Sequence, residues 1–329
     1  MAGASGYTGA ELLRYLLRHP QVSLGTCLAN QLAGESIPRT FPNLHGDISK
    51  DFEQADWARL GRDHDLVFLC LPHGQSQGPV EDLMKSGCQV IDLGADFRFS
   101  NPDLYQSTYG QSHQCPDLLK QAVYGLPERN REKIRQAQLI ANPGCYPTAS
   151  LLALLPLIQA GDLDSTVIVD AKSGVSGAGR SAKVSSLFCE VNENFRAYGV
   201  GEHRHGPEIE QFVGQKVLFT PHLVPMTRGI LATVYIEKPT RELQDLYRQF
   251  YACEPFVSVL QDSLPSTKSV AGTNRCHLAV CRSHHPEYSI VVSAIDNLGK
   301  GAAGTAVQNM NLLHNLPERT GLESPATAP

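Results

Sequence analysis

Glycine recurs at every third position near the start of the chain, at Gly3, Gly6 and Gly9, and leads directly into a helical pattern. The leucines that follow, at positions 12, 13, 16 and 17, mark one apolar helical face, which Pro20 ends. Such a turn lets the backbone approach a ligand, and the free N–H groups of the new helix favour a phosphate. By itself, this G-x-x-G-x-x-G variant of the dinucleotide fingerprint is weak evidence, since a glycine turn before a helix is often only a connection.

Apolar segments typical of buried strands alternate with helical patterns after this turn. The predicted strands cover residues 22–28, 65–71, 89–93 and 138–141, and helical segments near 53–60, 76–86 and 128–136 separate the later ones. This alternation predicts a doubly wound parallel sheet. Ligand-binding loops are then expected at the carboxyl ends of the strands, at residues 72–74, 94–98 and 142–145.

The length of 329 residues is about twice that of a typical single domain, so two domains are expected. Only Met1 and Ala2 precede the glycine turn, whereas a doubly wound sheet places a buried central strand before it. We therefore expect the working protein to carry about five to seven further residues before Met1, the length of a typical strand.

Charge and hydropathy exclude several classes of protein. The 28 Lys and Arg against 33 Asp and Glu give a net charge of −5, too mild and mixed for nucleic acid or a polybasic membrane surface. The longest apolar stretch, residues 151–158, is interrupted by Pro156, so no membrane span is expected. The amino terminus lacks the features of a secretory signal, and the nine cysteines contain no C-x-x-C. We therefore expect a cytoplasmic protein without a disulfide framework or a metal site.

Cys145 differs from the other cysteines in its setting. It lies in the segment NPGCYPT at 142–148, just before the apolar run 151–158, and Pro147 suits a first helical turn. A thiol at a helix amino terminus lies near free amides and the positive end of the helix dipole, which favour the thiolate. Cys145 is therefore the expected nucleophile.

A nucleophilic cysteine needs a partner that moves protons near neutral pH, and imidazole is the usual one. Among twelve histidines, His203 and His205 form the one dense cluster beside a cation, with Arg204 between them. In an extended segment the two rings would share a face, and either could transfer the proton while the other holds an anion. A zinc site with Cys145 is disfavoured because no regular fourth ligand follows.

Segment 170–183, DAKSGVSGAGRSAK, combines small residues, hydroxyls and three cations. That composition suits phosphate or carboxylate binding by backbone amides, or else a flexible surface loop. Arg228, just before a predicted strand at 230–236, is either an anion ligand or a surface charge.

These motifs together resemble the type 1 N-acetyl-gamma-glutamyl-phosphate reductase family of the semialdehyde dehydrogenase superfamily. The matching segments run through nearly the whole chain: GASGYTGAEL at 3–12, LPHG at 71–74, DFR at 96–98, YGLPE at 124–128, NPGCYPT at 142–148, SGVSGAG at 173–179, HRHGPEI at 203–209 and DNLGKGAAG at 296–304. The cysteine and histidine segments make the resemblance specific.

The resemblance implies an α/β fold in which a Rossmann-type doubly wound parallel sheet binds NADP. An inserted α+β catalytic domain of the semialdehyde dehydrogenase or glyceraldehyde-phosphate dehydrogenase kind would complete it. The implied boundaries are 1–144 for the NADP-binding domain, 145–296 for the catalytic and dimerisation domain, 297–316 for a helix returning to the first domain, and 317–329 for a disordered tail. A homodimer or homotetramer is expected.

The resemblance also implies the chemistry. Cys145 would attack the acyl phosphate of N-acetyl-L-glutamyl 5-phosphate and form a thioester, which NADPH reduces to the 5-semialdehyde in arginine biosynthesis. His205, or with less support His203, would transfer the proton. Arg98, Arg204 and Arg228 would bind the substrate. The implied cofactor-binding residues are Gly3, Ser5, Gly6, Tyr7, Thr8, Gly9, Pro72, Ser173, Gly174, Ser176, Gly177 and Asn297.

One departure from the family concerns the ribose 2′-phosphate. The family usually has a Thr-Ser-Arg-like stretch after the second strand, whereas this chain has LANQLAG at 28–34 and no basic residue before Arg39. No acidic residue is present at the strand end to bind a ribose diol either. We therefore expect NADPH to be preferred over NADH by a smaller margin than an arginine would give.

Three other functions stay open. A reductase of aspartyl phosphate, or of a carrier-bound aminoadipyl phosphate, would share the cysteine chemistry. A Cys/His hydrolase or acyltransferase would need no nicotinamide, and the glycine turn argues against it. A catalytically inactive paralogue is opposed by the presence of Cys145 and both histidines.

Overall fold

A computed structural model describes residues 1–163, 165–237 and 242–327. The chain divides into two compact units. Unit 1 comprises Met1–Pro143 and Ala302–Glu323, and unit 2 comprises Gly144–Gly301 and the chain from Ser324 onward.

The elements alternate through most of the chain. The strands are β1 (Leu66–Leu69), β2 (Gln89–Asp92), β3 (Val123–Tyr124), β4 (Leu139–Ala141), β5 (Val167–Gly174), β6 (Arg196–Ala197), β7 (Val217–Val224), β8 (Ile230–Glu237), β9 (Val257–Val259), β10 (Cys276–Arg282) and β11 (Tyr288–Ile295). The α-helices are α1 (Tyr7–Leu16), α2 (Ile37–Thr40), α3 (Trp57–Asp63), α4 (Gln77–Lys85), α5 (Pro102–Tyr109), α6 (Pro116–Gln121), α7 (Pro127–Arg135), α8 (Cys145–Ala160), α9 (Phe188–Val191), α10 (His205–Val213), α11 (Leu243–Tyr251) and α12 (Gly304–Leu313).

Unit 1 is built on a parallel sheet in the order β1-β2-β4-β3. Ala2 adds to it through parallel bridges to Leu69 on one side and Leu28 on the other. The Rossmann-like parallel sheet predicted from the sequence is confirmed. Within the predicted strand 22–28, however, only Leu28 forms bridges, to Ala2 on one side and to Glu53 on the other, so residues 22–27 are not a regular strand.

Helix α12 brings the chain back into unit 1, and its residues are buried throughout. The Asn309 amide nitrogen donates to the Gly125 carbonyl at 2.9 Å and to the side-chain oxygen of Asn142 at 3.2 Å. Because buried amides need partners, these bonds fix the helix beside the ends of β3 and β4.

The chain after α12 is packed against unit 1. The buried Asn311 amide donates to the carbonyls of Glu318 and Thr320 at 3.1 and 2.9 Å. Arg131 pairs with Glu318 at 2.8 Å, and Leu322 is buried. The prediction of a disordered tail is therefore wrong for residues 317–323, because detaching them would leave buried donors unpaired.

Unit 2 contains a mixed seven-stranded sheet in the order β6-β7-β5-β8-β11-β10-β9. Strand β8 alternates strictly between buried and half-buried residues, so one face of the sheet is covered and the other is open. The apolar helix α8 packs on β8, β10 and β11, with a buried run from Tyr146 to Leu157.

A proline inside α8 is accommodated by helix α11. Pro156 has no N–H, so the carbonyl of Leu152, one turn earlier, lacks its helical donor. The Tyr251 hydroxyl of α11 donates to that carbonyl, and the Tyr247 hydroxyl donates to the next one, Ala153. The polar ends of two buried tyrosines therefore replace the missing backbone bond.

Candidate active site

The glycine turn of unit 1 forms the expected backbone cradle. Gly3 has a φ of +73°, and a Cβ there would lie 2.2 Å from the Cys70 carbonyl oxygen. A Cβ on Gly9 would lie 2.6 Å from the carbonyl oxygens of Gly3 and Ala4. Gly6 precedes α1 without a side-chain cap on the first-turn N–H groups. The bare backbone at the start of a ten-residue helix fits the diphosphate of a dinucleotide.

The other cofactor residues predicted in unit 1 lie around this cradle. Ser5 is on the turn, Tyr7 and Thr8 open α1, and Tyr7 is exposed. Pro72 is exposed in the loop after β1, the loop whose Cys70 contacts the glycine turn.

Cys145 is the first residue of α8, and Gly144 is its N-cap. The Gly144 carbonyl accepts from the backbone N–H and the hydroxyl of Thr148, at 2.8 and 2.9 Å, so the first turn is well formed. A Cβ on Gly301 would lie 2.9 Å from the Cβ of Cys145, so only glycine permits this approach. The thiol is thus placed at the positive end of a sixteen-residue helix.

The histidine segment is not extended: Arg204 has helical dihedral angles and His205 begins α10. The run Gly206-Pro207-Glu208 starts the helix, since proline and an acidic residue both favour a first turn. The two rings therefore do not lie on one face of an extended segment, but they are still close together, with centroids 4.8 Å apart.

His203 and His205 differ in their hydrogen bonding. Nδ1 of His203 accepts the backbone N–H of His205 at 3.1 Å. Burial, with a smaller contribution from Arg204, lowers the pKa of His203 to about 4. His203 is consequently neutral at physiological pH and caps the start of α10.

Glu208 joins the histidine helix to the cysteine helix. Its side chain is fully buried on α10, and Oε1 accepts the backbone N–H of Gly144 at 2.9 Å. It lies one turn after His205, on the side of α10 that packs on α8.

Tyr146, next to the nucleophile, anchors a buried cluster. Its ring centroid lies 5.7 Å from that of His203 and 5.9 Å from that of His205. Its hydroxyl donates to the His222 carbonyl at 3.0 Å and accepts from the Tyr198 hydroxyl at 3.2 Å. Burial raises the pKa of both phenols, that of Tyr198 to about 12, so both stay protonated donors.

The structure brings together five predicted residues of unit 2: Ser173, Gly174, Ser176, Gly177 and Asn297. The Asn297 amide nitrogen donates to the Ser176 hydroxyl at 2.9 Å, and its oxygen accepts the Gly229 N–H at 2.8 Å. A Cβ on Gly177 would lie 3.2 Å from the Ser173 hydroxyl. Segment 170–183 is therefore strand β5 and a 3-10 turn at its start, rather than a flexible loop throughout.

The three predicted substrate arginines have different settings. Arg228 pairs with the buried Asp296 through Nε and Nη2, at 2.9 and 3.2 Å. Arg98 belongs to unit 1, where it donates to the carbonyls of Asn142 and Leu93 at 2.9 and 3.0 Å. Arg204 is exposed beside the histidines.

Sequence reasoning had not assigned a role to Glu208, Tyr146, Asp296 or Gly301. Glu208 and Tyr146 carried a signal, since they lie within a few residues of His205 and Cys145. The pairing of Asp296 with Arg228 and the contact of Gly301 with Cys145 join distant segments, so local pattern could not reveal them.

The described residues contain no group of three or more His, Cys, Asp or Glu side chains placed to hold a metal ion. Within the same residues, no helix is both long and apolar enough to cross a membrane.

Comparison with known proteins defines the class. Residues 1–137 match the family described as semialdehyde dehydrogenase, NAD binding domain, and residues 145–297 match semialdehyde dehydrogenase, dimerisation domain. The fold agrees: aspartate semialdehyde dehydrogenase II of Vibrio cholerae, solved with ASA, gives a TM-score of 0.73 at 18% identity, covering 95% of this chain and 97% of the other. The Candida albicans enzyme solved with NADP gives 0.69 at 15% identity, covering 95% and 98%. The chain is thus a nicotinamide-dependent semialdehyde dehydrogenase by class.

Its particular family follows from curated relatives. N-acetyl-gamma-glutamyl-phosphate reductase of Halorhodospira halophila is 49% identical, covering 100% of this chain and 98% of that protein. The Desulforudis audaxviator protein of the same name is 50% identical, covering 100% and 99%. The chain belongs to the N-acetyl-gamma-glutamyl-phosphate reductase family.

Proposed function

We propose that this chain reduces N-acetyl-L-glutamyl 5-phosphate with NADPH to N-acetyl-L-glutamate 5-semialdehyde and phosphate, a step of arginine biosynthesis. The observation that carries the proposal is the position of Cys145 as first residue of α8, with the preceding Gly144 N–H held by Glu208 of the helix that begins at His205. The names of the relatives supply the substrate.

In the acylation step, His205 takes the thiol proton and the Cys145 thiolate attacks the acyl carbon. The C–O bond to phosphate breaks, phosphate leaves with the electron pair, and a thioester forms on Sγ. The first-turn amides of α8 stabilise the thiolate before it attacks.

A nicotinamide cofactor, when bound, would supply the hydride that reduces the thioester carbonyl. His205 protonates the resulting oxygen. It takes that proton back as the C–S bond breaks and the aldehyde leaves, and it returns the proton to Sγ of Cys145. His203 is suited to hold His205 rather than to transfer protons, because its Nδ1 accepts the His205 N–H.

We assign NADP binding to residues 3–9 and Pro72 of unit 1, because the glycine turn leaves the start of α1 without a side-chain cap. Segment 30–32 forms a 3-10 turn after Leu28, with Asn30 and Gln31 exposed. Arg39 is the next cation, and it lies 3.6 Å from Glu35. We expect kcat/KM to be higher with NADPH than with NADH by a modest factor, and an outright NADH preference would contradict this assignment.

The enzyme is proposed to be cytoplasmic and homo-oligomeric. All nine cysteines are free thiols, as expected in a reducing compartment. On the open face of the sheet, Leu218, Ile168, Tyr235 and Ile290 lie side by side in register across four strands. This apolar row supports self-association through the open face, as a homodimer or homotetramer.

A reverse assay tests the function. N-acetylglutamate 5-semialdehyde and NADP should yield NADPH only when phosphate is present, and aspartate semialdehyde should react far more slowly. Cys145→Ser should abolish turnover while NADPH binding, followed by nucleotide fluorescence, stays intact. Phosphate-independent hydrolysis of acyl esters without nucleotide would instead indicate a Cys/His hydrolase.

A further inference from the structure

The loop after β1 lies at the point where the strand order of the unit 1 sheet reverses. Ala2 is bridged to Leu28 on one side and to Leu69 on the other, so residues 3–9 and 70–76 leave the sheet from adjacent positions. The two loops touch, since a Cβ on Gly3 would meet the Cys70 carbonyl. Ligands of doubly wound sheets bind in the crevice at this reversal of strand order.

His73 lies in this loop and is oriented by a buried carboxylate. Its Nδ1 is 2.8 Å from Oδ1 of Asp96, which follows β2 and is fully buried. Asp96 also accepts the N–H groups of Gly74 and Ser76, at 2.7 and 2.9 Å. Burial opposes its ionisation, but the bonds from His73, Gly74 and Ser76 outweigh it and lower the pKa of Asp96. The carboxylate therefore stays charged and keeps Nδ1 of His73 as a donor.

Aromatic packing fixes the plane of the imidazole. The Tyr109 ring stacks on His73 with centroids 3.8 Å apart, and the Tyr105 ring lies at 5.8 Å. Nδ1 faces Asp96, so Nε2 is the ring nitrogen that a ligand would reach, in place of its present contact with the Gln111 amide nitrogen at 3.4 Å. The side chain retains 20% exposure, so a ligand can reach it.

The glycine turn offers backbone donors but no cation, because residues 3–9 are Gly-Ala-Ser-Gly-Tyr-Thr-Gly. A diphosphate carries two negative charges, and charged donors bind phosphate oxygens more strongly than neutral ones. The imidazole of His73, held beside Asp96 in the adjacent loop, would add a side-chain donor to these backbone donors.

We propose that His73, oriented by Asp96, donates from Nε2 to the diphosphate of the dinucleotide bound at the glycine turn. This inference rests on the proposed function. It makes His73 a cofactor-binding residue of unit 1. The groups around it that titrate or form hydrogen bonds are Asp96 from the loop after β2, Tyr105 and Tyr109 from α5, and Gln111 and His113 from the segment after α5.

The test uses the full chain and two ligands, NADPH and ADP-ribose, which lacks the nicotinamide. His73→Asn is the sharpest variant, because its amide keeps a donor at the position of Nδ1 for Asp96 and removes Nε2. We expect it to raise the Kd of both ligands about tenfold or more.

His314→Gln is the matched control, because His314 is an exposed histidine of the same unit beyond α12, and both affinities should be unchanged. If His73→Asn does not fold, as judged by thermal unfolding, His73→Ala replaces it and should weaken the binding of both ligands. Unchanged affinity in the folded variant would overturn the inference, as would loss confined to NADPH. Failure of the wild-type chain to bind NADPH would instead overturn the proposed function.

Discussion

Glu208 accepts a hydrogen bond from the backbone N–H of Gly144 at 2.9 Å. Glu208 lies on α10, which begins at His205, and Gly144 is the N-cap of α8, which begins at Cys145. The carboxylate therefore binds the N-cap amide of α8, next to Cys145, and helps to place the thiol. It is a positioning residue, which acts through the backbone of Gly144, next to Cys145.

Glu208→Gln should keep an acceptor for Gly144 but remove the negative charge. We expect iodoacetamide to alkylate Cys145 of this variant at lower pH than in the wild type, because a nearby anion no longer opposes the thiolate. Glu208→Ala should leave the Gly144 N–H without this acceptor and lower kcat by about a hundredfold. Glu210→Gln, on the same helix but bonded to the Val217 N–H at 3.0 Å, is the control and should change neither.

The two histidines should separate in a mutant comparison. His205→Asn should lower kcat by about 10² or more, the size typical of general acid–base catalysis. His203→Asn should cost less than about tenfold, because an asparagine side chain can still accept the His205 N–H that Nδ1 now accepts. Steady-state kinetics would decide it, and equal losses in both variants would contradict the assignment of proton transfer to His205.

Local features of this chain were predictable and distant pairings were not. The glycine turn and the start of α8 at Cys145 follow from residues adjacent in sequence, so their patterns predict them. The start of α10 at His205 was not predictable in the same way, because the few residues of its first turn are also compatible with an extended segment. The pairing of Arg228 with the buried Asp296 could not be predicted, because the two residues lie 68 positions apart in the sequence.

The replacement of the missing backbone bond at Pro156 predicts unequal effects of two similar mutations. Tyr251→Phe removes the donor to the Leu152 carbonyl, which has no helical partner, and should lower the free energy of unfolding by about 1–2 kcal/mol. Tyr247→Phe should cost less, because the Ala153 carbonyl can still accept the Leu157 N–H. Urea titration followed by circular dichroism measures both, and equal losses would contradict the explanation.

Asp92 predicts how stability depends on pH. It is fully buried, and burial followed by the neighbouring Asp96 raises its pKa to about 7. Between about pH 4 and 7 the folded state therefore holds a proton that the unfolded state has lost, so this group makes stability fall as pH rises through that window. Asp92→Asn keeps an oxygen for Ser76 and Gly94, whose bonds to Asp92 measure 2.9 Å, and removes the ionisation.

The difference in melting temperature between Asp92→Asn and the wild type should thus grow in favour of the variant from pH 5 to pH 8. The comparison between the two proteins cancels other titrating groups, such as His203, which has the opposite sign because its pKa is lowered. A difference that stays constant with pH would show that Asp92 ionises normally.

Self-association through the open face of the unit 2 sheet gives the last prediction. Light scattering should give the wild type a mass at least twice that of the 35.8 kDa chain. Leu218→Glu places a charge in the apolar row, where burial against a second copy would cost far more than exposure. It should split the complex at this face and lower the mass, to that of one chain when the wild type is a dimer. Leu264→Glu is a matched control, because Leu264 is 68% exposed and Leu218 59%, but Leu264 follows β9 at the far edge of the sheet. An unchanged mass in Leu218→Glu would exclude this face as the interface, since a buried, unpaired carboxylate could not be tolerated at its centre.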